Sequence, residues 1–73
     1  MTEGDDPRAY MRIAALIRQQ IRDGKLRSGK PTPSIRTLTE EHGVARQTAA
    51  KALRLLESEG IVYRVPGLGY YVR

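Results

Sequence analysis

Gly43 stands between two helix-patterned stretches that have almost nothing else between them. Downstream, Ala49, Ala52, Leu53 and Leu56 follow the spacing i, i+3, i+4, i+7, which marks one face of a helix over about 46–59. Gln47, Lys51, Arg54 and Ser58 fall on the opposite face. Upstream, Ser34 is a good N-cap for a helix over about 35–42, with Leu38 turned inward. His42-Gly43-Val44 reads as the stop: Gly43 takes the left-handed conformation and Val44 packs back on the last turn. Two helices joined by a short glycine-containing turn form a helix-turn-helix.

The flanking segments complete a fold. Tyr10, Ile13, Ala14, Ile17 and Ile21 form the inner face of a first helix over about 7–23. Asp6 is its expected N-cap and Pro7 its first position, and Gly24 follows its end. Arg12, Arg18, Gln19 and Arg22 lie off the inner face. Residues 1–6 are polar and expected to be disordered. Residues 24–33 carry Gly24, Gly29, Pro31 and Pro33 and read as a loop, with Leu26 as its anchor in the core. After Gly60 come two short apolar runs, Ile61–Val65 and Tyr70–Val72, around Pro66-Gly67-Leu68-Gly69. That is a β-hairpin with a four-residue loop, spanning about 61–72. Three helices followed by a hairpin make a mainly α (α+β) winged helix-turn-helix over 7–73. At 73 residues there is room for one domain, and a chain so short buries only ~60% of its unfolded surface. A large catalytic cavity does not fit beside such a core.

Charge narrows the class of partner. The chain carries 13 Lys and Arg against 8 Asp and Glu. Glu3, Asp5 and Asp6 precede every base, so residues 8–73 carry +8. A small basic domain suits nucleic acid or an anionic membrane surface. No apolar run approaches the ~20 residues of a membrane span. The acidic N-terminus is not a signal peptide, and the cytoplasm is the expected compartment. With no Cys and His42 as the lone histidine, no disulfide, metal site or cofactor is expected. Glu40, Glu41, Glu57 and Glu59 read as solvated helical acids, and no phosphate loop or nucleophile arrangement is present. An enzyme is not expected.

The order and spacing of motifs resemble the N-terminal DNA-binding domain of the GntR family of bacterial transcription regulators. The resemblance rests on Tyr10, Ile13, Ile17, Ile21, Gly24 and Leu26. It continues through Gly29 and through Pro33, Ser34 and Arg36 at the start of the second helix. The turn Gly43, Val44, Arg46 and Thr48 follows, then Ala52, Leu53, Leu56, Glu57, Glu59, Gly60 and Ile61. Gly67, Gly69, Tyr70, Tyr71 and Val72 close the pattern. Four positions depart from it. Thr32 stands where Leu is usual, Ile35 where an acid is usual, Ala45 where Ser or Thr is usual, and Ala50 where many members carry Arg. These departures bear on the preferred DNA sequence rather than on the fold.

The resemblance implies a sequence-specific domain, expected to be a repressor, that binds double-stranded DNA as a homodimer on a palindromic operator. The third helix would enter the major groove, with Arg46 and Gln47 in its first turn nearest the base edges. Arg46 is the expected base reader, through O6 and N7 of guanine. Its alternative is a solvated side chain or a pair with Glu40 or Glu41. Gln47 matches adenine, or is simply an exposed helical Gln. Thr48 either binds a phosphate or caps its own turn. Lys51 is expected at a phosphate or a base edge, Arg36 at a phosphate beside the second helix's N-terminus, and Arg64 at a phosphate from the wing strand. Gly67 and Gly69 let the wing approach the minor groove, or only shape the turn. Tyr63, Tyr70 and Tyr71 are expected as core and sheet contacts. An effector would bind a separate C-terminal domain, and the chain is expected to be a domain of a longer regulator, the alternative being a stand-alone regulator. The alternatives are a winged-helix protein-interaction module without sequence-specific DNA binding, and a basic module for anionic membranes. They are distinguished by where the positive charge lies.

Overall fold

The computed structural model describes residues 7–73. The expected Asp6 cap and the expected disordered tail lie outside those residues. Three helices, α1 (Pro7–Arg22), α2 (Ile35–His42) and α3 (Arg46–Ser58), precede two strands, β1 (Val62–Val65) and β2 (Gly69–Val72). The chain is thus a winged helix. α1 and α3 each end one residue earlier than the apolar spacing suggests, because Asp23 and Glu59 already belong to the turns that close them.

Local chemistry sets the ends of α2. The Ser34 hydroxyl accepts a hydrogen bond from the Thr37 N–H at 3.0 Å. At the other end Gly43 adopts φ 65°, ψ 25°, and its N–H donates to the Thr39 carbonyl at 3.0 Å. A side chain there would strain the left-handed backbone. α3 starts with less help, since Ala45 holds an extended cap conformation but offers no side-chain acceptor.

The core forms where the inner faces of the three helices meet. Ile13, Ala14 and Ile17 of α1 meet Leu38 of α2 and Ala49, Ala52, Leu53 and Leu56 of α3, all buried. Val44 joins them from the turn and Val62 from the wing. Tyr10, Ile21 and Leu26 pack at the edge of this cluster, partly buried. Fully burying a Leu or Ile side chain is worth ~1.5–3 kcal/mol relative to exposure. Outside the core, the Arg18 guanidinium grips the Glu59 carboxylate at 2.7 and 2.8 Å, tying α1 to the C-terminal end of α3.

β1 and β2 pair antiparallel, with Val62 opposite Val72 and Val65 opposite Gly69. Gly69 therefore belongs to the strand, and the loop has three residues rather than the four expected. Pro66 and Gly67 make the tight turn: Gly67 has φ 82°, and the Leu68 N–H donates to the Val65 carbonyl at 3.0 Å. The segment read from sequence as a loop also contributes to the sheet. Gly29 donates to the Val72 carbonyl at 2.7 Å, Val72 to Lys30 at 2.8 Å, and Thr32 to Tyr70 at 2.9 Å. β2 thus lies between β1 and a short extended stretch. Pro31 sits on the outer edge of that stretch, where its missing N–H breaks no ladder. Thr32, in place of an apolar residue, sets its hydroxyl 3.1 Å from the Pro33 carbonyl and 3.3 Å from that of Tyr70.

Candidate nucleic-acid interface

The turn at Gly43 leaves one side of α3 uncovered. Arg46 and Gln47 are exposed in its first turn, which contains no acid. The Arg46 side chain makes no hydrogen bond or ion pair among the described residues, so the alternative pairing with Glu40 or Glu41 does not form. Glu40 accepts instead from Arg36, whose Nε lies 3.1 Å from its carboxylate. Both partners are well exposed, and the terminal amino groups of Arg36 stay open to solvent.

A cleft of about 650 Å³ runs between the start of α2, the middle of α3 and the wing. Arg36, Arg64, Gly67 and Gly69 all line it, so four expected site residues, from α2, both wing strands and the turn between them, meet there. Arg64 faces the cleft from β1, opposite Tyr70. Ala50, Leu53 and Arg54 form the α3 wall. The sequence places Arg54 on the outer face of α3 without marking it as a site residue. Its signal was present: it lies seven residues after Gln47, two helical turns along the same side.

Two expected site residues stand elsewhere. Thr48 is 3% exposed, at the edge of the buried face of α3. Lys51 is exposed but directed towards α1, with its ammonium nitrogen 4.4 Å from the centroid of the Tyr10 ring. Half-buried Tyr63 and Tyr71 stack on each other with ring centroids 6.0 Å apart, a cross-strand pair. No helix among the described residues is long and apolar enough to cross a membrane.

An exposed, acid-free recognition-helix start beside an arginine-lined wing cleft defines a winged helix-turn-helix domain of the nucleic-acid-binding kind. Residues 9–72 match the family model described as bacterial regulatory proteins, gntR family, and the chain belongs to that family. It is similar to the HTH-type transcriptional repressor NagR of Bacillus subtilis, with 38% identity over 63 residues. That match covers 86% of this chain and 26% of NagR. It is also similar to MngR of Escherichia coli, the mannosyl-D-glycerate transport/metabolism system repressor. There the identity is 41%, over 88% of this chain and 27% of MngR. The chain thus spans about a quarter of the length of these relatives. Among solved structures, AraR(DBD) in complex with operator ORX1 superposes with a TM-score of 0.85 and 32% identity. That match covers 89% of this chain and 78% of the AraR chain.

Proposed function

We propose that this chain is the sequence-specific DNA-binding domain of a bacterial transcription regulator that acts as a repressor. The observation that carries the reading is the two-sidedness of α3. One side is buried through Ala49, Ala52, Leu53 and Leu56, while the other presents Arg46 and Gln47 from a first turn without acids. A helix held this way fits a major groove ~12 Å wide with its N-terminal residues at the base edges. Arg46 reads guanine and Gln47 adenine. Arg36 and Arg64 bind backbone phosphates on either side, and the Gly67–Gly69 tip lies along the minor groove. Lys51 adds a phosphate contact by leaving the Tyr10 ring. The repressor role is supported by the names of NagR and MngR, and operator binding by the AraR complex.

Two copies bind a palindromic operator, because duplex half-sites related by two-fold symmetry match two identical domains. The greater length of the relatives supports a further effector-binding domain in the complete regulator. The reading places the protein in the bacterial cytoplasm, on the nucleoid when bound, with no catalytic role. The test is selection of bound duplexes from a random DNA pool at moderate salt. Enrichment of a palindrome is the expected result. Binding that enriches no sequence and vanishes as salt rises would leave a basic surface only, and a protein-interaction role would take its place.

A further inference from the structure

We propose that Arg54 is a further DNA contact, which closes the cleft between α3 and the wing around one strand of the phosphate backbone. The proposal rests on the reading of α3 as the groove-entering helix. Arg54 stands two turns beyond Gln47, which places its Cα about 10 Å further along the helix axis. A helix that meets base edges with its first turn carries its third turn outward to the rim of a ~12 Å groove, where the phosphates run. Between the two lies Ala50, whose methyl group leaves the path from groove to cleft open.

The charge arrangement specifies the occupant. Arg54 is exposed and its side chain makes no hydrogen bond or ion pair among the described residues, whereas Arg18 and Arg36 each hold a carboxylate. Arg64, exposed on the facing strand, has no such carboxylate either among the described residues. Arg36, Arg54 and Arg64 approach one cleft from α2, α3 and β1. Only Glu40, beside Arg36, offsets this charge through a described ion pair. Cations gathered in a concave surface concentrate the field for an anion. The forked guanidinium matches phosphate oxygens two at a time. An extended phosphodiester strand supplies successive anions along the cleft, which base edges do not.

The test compares Arg54→Ala, Arg54→Lys and Arg22→Ala with the parent chain. Each is titrated with a short mixed-sequence duplex and with the duplex enriched by selection, between about 50 and 200 mM salt. Arg22 is a cation on α1, outside the cleft, where it donates to Gln19. Arg54→Ala is expected to weaken both duplexes roughly tenfold, as for a lost hydrogen bond between charged groups. Its salt slope should become shallower by about 0.9, and the ratio between the duplexes should not change. Arg54→Lys should keep the slope, and Arg22→Ala should behave as the parent. An unchanged slope in Arg54→Ala overturns the backbone contact, and so does an equal loss in Arg22→Ala, which would reflect bulk charge. A changed ratio between the duplexes would make Arg54 a base reader and also overturn the proposal. These failures leave the α3 reading intact if Arg46→Ala still relaxes preference at one base pair. A parent chain that binds neither duplex removes that reading, and this proposal with it.

Discussion

The Lys51 ammonium lies 4.4 Å from the centre of the Tyr10 ring, bridging α3 to α1 on the side of α3 away from the wing. A helical residue that spacing alone assigns to the outer surface is thereby a tertiary contact. At an exposed site such a cation–π pair is worth ~0.5–1 kcal/mol. A double-mutant cycle with Lys51→Ala and Tyr10→Leu should return a coupling of that size by denaturant unfolding. If the two losses simply add, the contact contributes nothing to stability.

Arg18 and Glu59 form the other clamp between α1 and α3, with side chains 31% and 38% exposed. Partial exposure keeps the pair within the surface range of ~0.2–1 kcal/mol despite its two-pronged geometry. Glu59→Gln should lower stability by about that amount at low salt. The difference from the parent should shrink in 1 M salt, where the screening length falls to ~3 Å. A difference that is the same at both salts would assign the loss to packing instead.

Gly43→Ala tests the turn between α2 and α3. An added Cβ meets no atom within 4 Å, so the cost is backbone strain at φ 65° and nothing else. That strain amounts to ~1–2 kcal/mol. Gly43→Asn should cost less, because Asn tolerates the left-handed region. Thermal unfolding of the two variants gives the order.

Ala45 offers a route to a more stable protein. It already holds the extended cap conformation, φ −68° and ψ 155°, but its side chain makes no cap hydrogen bond to the first turn of α3. Ala45→Ser should add ~0.5–2 kcal/mol. In a domain of this size each kcal/mol raises Tm by about 4–8 °C. A Tm that does not rise would mean the first-turn N–H groups of α3 already have other acceptors.

Arg46→Ala should leave folding untouched, since the side chain is exposed and free of described partners. It should cost ~1–3 kcal/mol on the selected duplex and relax preference at one base pair. Arg64→Ala should instead weaken all duplexes alike. Binding measured on the selected site and on its single-base variants separates the two effects.

Short-range chemistry made much of this protein legible in its sequence. Ser34 and Gly43 bound α2 at the expected residues because a cap hydroxyl and a left-handed glycine act on their own turn. The inner faces of the helices followed from spacing, since Ile13, Ile17, Leu38, Ala49, Leu53 and Leu56 repeat with the helical period. Tertiary packing decided the rest. Periodicity assigns a residue to a face, but the neighbour of that face is set by elements far along the chain. Lys51 and Arg54 both point away from the apolar stripe, yet α1 takes one and the wing cleft the other. The 29–32 stretch has no strand pattern and pairs only because β2 lies beside it. Thr48 is polar in type and sits at the margin of the stripe, and the closure of the core put it inside.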